Sequence, residues 1–172
     1  MKADWAEAAV ADNFVIQTPR LTIRPLAQGD EQLYLDLYTS PQVMAFIGPT
    51  LDIEKARHSF QIALRLNAKV PFKRLFLAIC FQNQPVGLCA INQWSAAQAT
   101  AEVGLMLLPR GQGQGYGSEA KLEFSKRLQQ LFTAVQIYTL TDPNNKAAVR
   151  SNIVAGYSPD PLQANRFWFK SD

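Results

Sequence analysis

Residues 110–120 read Arg110-Gly111-Gln112-Gly113-Gln114-Gly115-Tyr116-Gly117-Ser118-Glu119-Ala120, with four glycines at alternate positions. This run constrains the chain more than any other. A strand-like stretch, Thr100–Leu108, precedes it. Behind it, Ala120, Phe124, Leu128 and Leu131 mark the apolar stripe of a helix reaching about Phe132, with Lys121, Glu123, Lys126 and Arg127 facing water. Alternate glycines have no Cβ to stop backbone N–H groups from turning inward. The helix start behind them adds roughly half a positive charge. The pattern predicts a phosphate cradle built from backbone. A P-loop is excluded, because no Lys precedes Ser118 in Gly117-Ser118. The dinucleotide pattern G-x-G-x-x-G fails too, since its last glycine falls on Tyr116 or Ser118. A flexible glycine loop without a ligand is the alternative at this level.

The surrounding sequence supplies a mixed sheet. Phe14–Leu26 alternates apolar and polar residues around Pro19. Asp30 and Ser40-Pro41 open short helices, and Asp52 opens a longer one buried through Ile53, Ala56, Phe60, Ala63 and Leu64. Arg74–Phe81, Pro85–Trp94 and Thr100–Leu108 read as an antiparallel meander, with its first turn at Asn83-Gln84. The helix after the glycines and a strand at Val135–Leu140 complete a right-handed crossover with parallel neighbours. Asp142-Pro143-Asn144-Asn145 starts a helix that stops at Gly156, and Asn165–Lys170 is a last strand. The fold class is α+β: a mixed, mostly antiparallel sheet with helices on both faces. Residues 1–172 form one domain, with 1–12 as a peripheral N-terminal arm.

Composition narrows the chemistry. The chain has one histidine, His58, and two cysteines, Cys80 and Cys89. A tetrahedral Cys/His zinc site needs about four ligands, so no metal is expected. Both cysteines sit in apolar runs and read as buried strand residues. His58, three residues after Lys55, reads as a surface or rim residue. The net charge of +3 falls short of the gathered basic excess of nucleic-acid readers. There is no signal-peptide pattern and no apolar run of about 18 residues, so neither export nor a membrane is expected, and a cytoplasmic location is.

Gln112-Gly113-Gln114-Gly115-Tyr116-Gly117 resembles the Q/R-x-x-G-x-G/A signature of the GNAT superfamily of acyl-CoA N-acyltransferases. Gly115-Tyr116-Gly117-Ser118-Glu119-Ala120 is similar to the G-Y-A/G-T/S-E-A run of its ribosomal-protein-alanine N-acetyltransferase-like branch. Asn145-Lys146-Ala147-Ala148, with Gly156-Tyr157 downstream, resembles that branch's N-x-A-S…G-F helix, and Thr18-Pro19-Arg20-Leu21-Thr22-Ile23-Arg24 its opening strand. The resemblance implies an antiparallel meander, a splayed parallel strand pair and acetyl-CoA as co-substrate in the splay. It places the pantetheine arm along Met106, Leu107 and Leu108 and near Asn145. It places the pyrophosphate on the amides from Gln112 through Gly113, Gln114, Gly115 and Tyr116 to Gly117, and Ser118 is counted with them as a cofactor-binding residue. Asn145 reads equally as a helix cap.

Acetyl transfer to an amine needs a base, an oxyanion donor and a route for the thiolate. Glu102, in Ala101-Glu102-Val103, is similar to the family's strand glutamate and is the leading base. An exposed strand glutamate is the plain alternative. The resemblance implies a backbone N–H near Leu107 for the oxyanion. Many relatives carry a tyrosine acid where this chain has Asn152, and Ala148 replaces the branch's serine. Ser151 and Tyr157 fall on no family catalytic position. At neutral pH an α-amine costs roughly 1.4 kcal/mol to deprotonate and lysine roughly 4.6 kcal/mol. One carboxylate therefore suits a peptide or protein N-terminal α-amine, or a small amine, attacking directly in a ternary complex. The competing class is a non-catalytic acyl-CoA-binding or interaction module on the same fold. A monomer and a homodimer are both compatible with the sequence.

Overall fold

The computed structural model describes residues 5–170. In chain order its elements are α1 (Trp5–Ala8), β1 (Ile16–Gln17), β2 (Leu21–Pro25), α2 (Glu31–Tyr38), α3 (Pro41–Met44), α4 (Ile53–Asn67), β3 (Leu75–Phe81), β4 (Gln84–Ser95), β5 (Thr100–Leu107), α5 (Tyr116–Leu131), β6 (Gln136–Leu140), α6 (Lys146–Val154), β7 (Tyr157–Pro159) and β8 (Arg166–Phe169). One eight-stranded sheet runs β1-β2-β3-β4-β5-β6-β8-β7. It is antiparallel except where β5 meets β6. The α+β reading therefore holds.

The parallel contact is short. Only Thr100–Glu102 pair with Gln136–Tyr138. Beyond Glu102, β5 stays on β4 while β6 goes with β8, so the sheet opens between them. A bulge at Asn92, where the β4–β5 register shifts, sits beside the point of opening. In the pairing of Met106 with Leu88, backbone groups of Met106 face β4, and the Leu108 N–H donates to Val86 O at 2.9 Å. Strand alternation therefore turns the backbone N–H and C=O of Leu105 and Leu107 toward the opening.

Two apolar clusters lie on the two faces of the sheet. One joins β2–β5 to α5 through Phe14, Leu77, Phe124 and Leu128. The other joins the sheet to α2 and α4 through Leu37, Phe60, Ala63 and Leu88. Cys80 and Cys89 are buried strand thiols, and burial pushes both above their usual range.

Four expectations need correction. Residues 1–12 are not a peripheral arm over their described part, 5–12. Trp5 stacks on Trp94 (4.6 Å, 6°), Ala8, Ala9 and Ala11 are buried, and Phe72 N–H donates to Ala9 O. Residues 1–4 lie outside the described residues. Ile53 is exposed, because it sits on the first turn of α4 ahead of the contact that buries Ala56. The first meander turn falls on Gln82-Asn83, both at positive φ. Lys121 is buried, not solvated. The buried face of α5 is wider than its apolar stripe: Gly117, Lys121 and Ser125 form a second row at steps of four.

Candidate active site

The glycine run turns the chain from β5 into α5. Gly111 packs so closely on β4 that a Cβ would come 3.0 Å from the Val86 carbonyl oxygen. Gly113 (φ +73°) and Gly115 (φ +78°) are left-handed, the conformation for which glycine is suited. Gly115 ends the turn, and the first α5 bond runs from Glu119 N–H to Gly115 O at 3.2 Å. Among the described residues, no backbone N–H from Gly113 to Ser118 has a protein acceptor. Six consecutive donors at a helix N-terminus, with no side chain over Gly113, make a concave anion site.

The turn is tethered by the chain's opening strands. Arg20 Nη1 donates to Gln114 O at 2.7 Å, and Arg20 Nε to Glu119 Oε2 at 2.7 Å. Glu119 Oε1 also accepts from Thr18 Oγ1 (2.6 Å) and the Arg20 N–H (3.0 Å). Burial alone would raise the Glu119 pKa. The hydrogen bonds from Thr18 and Arg20 and the Arg20 charge outweigh it and hold the carboxyl below its ordinary range. The Arg20 guanidinium lies 4.9 Å over the Tyr116 ring, which stacks on Phe81.

Two clefts flank the opening in the sheet. The first, about 520 Å³, is lined by Gln112, Gly113, Gly115, Tyr116, Gly117 and Ser118, by Leu105, Met106 and Leu107 of β5, and by Asn145, Arg150 and Ser151. The second, about 620 Å³, lies between Gly104–Met106 and Thr139–Pro143 and includes Glu102, Asn92 and Tyr38. Both touch the half-exposed Phe46 and Ile47 after α3.

Most predicted binding residues thus come together, with three exceptions. Gln112 lines the first cleft, but its N–H donates to Pro109 O at 3.1 Å and is not free for a phosphate. Leu108 does not reach either cleft: its side chain is buried in the core, its N–H is held by Val86 and its carbonyl by Gly111 N–H. Gln114 does not line the first cleft, and its carbonyl is taken by Arg20. Met106 lines both clefts with its backbone turned to β4, so Leu105 joins Leu107 in presenting backbone to the opening. The sequence reading did not single out Leu105, although strand alternation from Leu107 marks it. Asn145 caps α6, accepting from Ala148 N–H at 3.2 Å, and also lines both clefts, so its two readings coexist.

Glu102 stands where β5 and β6 separate, and its Oε1 accepts from Asn92 Nδ2 at 3.3 Å. It is paired across the strands with Tyr138, whose hydroxyl is pushed up in pKa by partial burial and by the Glu102 charge. His58 is exposed on α4, on neither cleft. Among the described residues, no three His, Cys, Asp or Glu side chains gather as a metal site. No helix among them is long and apolar enough to cross a membrane.

The least expected member is Lys121. Its Nζ donates to Asn152 Oδ1 at 2.6 Å and to Thr139 Oγ1 at 3.4 Å, and lies 5.5 Å from the centre of the Tyr157 ring. Burial pushes its ammonium down to about 8. Tyr157 itself packs after the α6 stop, with its hydroxyl 2.6 Å from Ser125 Oγ.

Residues 20–153 match the family model described as an acetyltransferase (GNAT) domain. This chain belongs to the GNAT acetyltransferase family. A GNAT acetyltransferase from Bacillus anthracis superposes with a TM-score of 0.72 at 20% identity, covering 90% of this chain and 93% of that one. An acetyltransferase from Agrobacterium tumefaciens gives 0.76 at 22%, covering 91% and 94%. The ribosomal L7/L12 alpha-N-protein acetyltransferase RimL, in complex with coenzyme A, gives 0.76 at 14%, covering 90% and 94%. No curated protein sequence matches.

Proposed function

We propose that the protein transfers an acetyl group from acetyl-CoA to a primary amine, by direct attack in a ternary complex. The observation that carries this reading is the run of free amides, Gly113 to Ser118, opening onto a gap in the sheet that also holds Glu102. The residues fit the co-substrate, because the amides lack protein acceptors and two left-handed glycines keep their concave side open. The similar RimL structure contains coenzyme A, which supports the same assignment here.

Amides of residues 113–118 would hold the pyrophosphate, with the hydroxyls of Ser118 and Ser151, 3.1 Å apart, beside them. The backbone of Leu105 and Leu107 would hold the pantetheine arm and offer an N–H to the carbonyl oxygen. Acetyl-CoA supplies an acyl group already activated as a thioester. Glu102, in the second cleft, accepts the proton that the amine loses, directly or through water. An α-amine of a peptide or protein is the preferred acceptor class: RimL, by its name, acts on such a group, and one carboxylate suits its pKa. A small amine is the alternative acceptor.

The test is CoA release from acetyl-CoA with a panel of N-terminal peptides and small amines, beside calorimetric binding of acetyl-CoA. Turnover with one amine class is the expected result. Tight binding with no turnover on any amine would instead establish an acyl-CoA-binding module on this fold.

A further inference from the structure

We propose that Lys121 is a catalytic residue, delivering a proton to the thiolate sulfur as the acyl group leaves. This rests on the acetyl-CoA reading above. If the donor occupies the first cleft and the acceptor the second, the acyl carbon must sit where the clefts meet. Lys121 lines both, and it is the one charged side chain that does so among the described residues.

Its setting is built for a proton donor. The Asn152 amide is oriented by its Nδ2, which donates to Thr141 Oγ1 at 2.9 Å, leaving Oδ1 to receive the Lys121 ammonium. Asn152 and Thr139 take two of the three N–H groups, and among the described residues the third has no protein acceptor. No carboxylate forms an ion pair with this cation among them, so its charge is not neutralised. The groups packed around it from other elements are Cys89 on β4, Thr139 on β6, Asn152 on α6 and Tyr157 on β7. Burial raises the pKa of both Cys89 and Tyr157, which keeps them neutral. Glu102 and Asp142 line the second cleft. Burial lowers Lys121 to about 8. That is close to the roughly 8.5 of a free thiol, so the proton passes with little driving force either way.

The step balances. The ammonium passes one proton through Glu102 to bulk water; the neutral nitrogen then bonds to the acyl carbon and gives its second proton to Glu102. The C–S bond breaks with its electron pair on sulfur, and Lys121 supplies the proton that makes the thiol. Water in the second cleft returns the Glu102 proton to Lys121.

The test titrates the thiol of bound CoA by its ultraviolet thiolate absorbance, in the wild-type protein and in Lys121→Met. The wild-type complex is expected to show a thiol pKa about one unit or more below that of free CoA, and Lys121→Met to return it to the free value or above. Acetyl-CoA affinity should stay within about threefold, because a thioester sulfur carries no charge to lose. The turnover number should fall about 10²-fold. CoA bound to the wild type with an unshifted thiol overturns this inference alone, and that measurement needs no variant to fold. Failure of the wild type to bind acetyl-CoA or CoA overturns the co-substrate reading along with it.

Discussion

The two clefts meet at β5 but are built from opposite materials. The first is lined at its anion end by backbone: free amides, two left-handed glycines and a helix start. The second is lined by charged side chains, Glu102 at the strand opening and Lys121, which both clefts share. Backbone donors keep their charge state at any pH and are lost only by changing the path of the chain. Side-chain groups titrate and can be exchanged one at a time. On the proposed reading, the donor end takes its strength from geometry and the reacting end from protonation.

Substitutions can break this contrast, most strongly at the turn. Gly115→Val places a Cβ 3.2 Å from Arg20 Nη2 on a residue at φ +78°. Moving that φ redirects the amides, and acetyl-CoA affinity should fall about 10²-fold or more, roughly 3 kcal/mol. Unchanged affinity by calorimetry would remove the pyrophosphate from the turn.

The next effect is on stability. Lys121 titrates at about 8 when folded and at about 10.5 when unfolded, so the unfolded chain binds more protons between these values. The penalty for the buried charge is full below pH 8 and is relieved as pH rises to about 10.5. Across that window the wild type should gain up to about 3 kcal/mol relative to Lys121→Met in denaturant titrations. Parallel curves for the two proteins would mean that the ammonium is solvated.

Glu102→Gln should lower turnover about 10²-fold near neutral pH, with acetyl-CoA affinity intact and partial recovery at higher pH as the amine deprotonates in solution. A normal rate would assign the base to another group or to water. The smallest effect is expected at the tether. Thr18→Val removes a hydroxyl that donates to Glu119 and accepts from Leu21 N–H, and should cost about 1–2 kcal/mol of stability by thermal unfolding.

The backbone half of the site was legible in the sequence because glycine spacing writes backbone geometry directly. The meander and the crossover followed from strand alternation, and the resemblance drew attention to Glu102, which stands where β5 and β6 part. Lys121 was not legible. Its type says solvent, and only the row Gly117, Lys121, Ser125 carries a trace of the wider buried face. The link between Thr18, Arg20 and Glu119 joins motifs 101 positions apart, and no local pattern reports such a contact. The N-terminal segment misled for a related reason. Its buried residues are mostly alanines, too small to mark an apolar face, and its anchor, Trp5, reaches a partner 89 residues away.

The hold of Arg20 on the Gln114 carbonyl has a kinetic consequence. A glycine-rich loop left to itself samples more conformations than any other, and a ligand that ordered it would give up affinity to that entropy. Here the folding of the first hairpin fixes the loop before any ligand arrives. The phosphate end should therefore dock in one step, at a rate set by diffusion and not by loop closure. Freeing the loop, as in Arg20→Ala, should slow association before it weakens the bound complex.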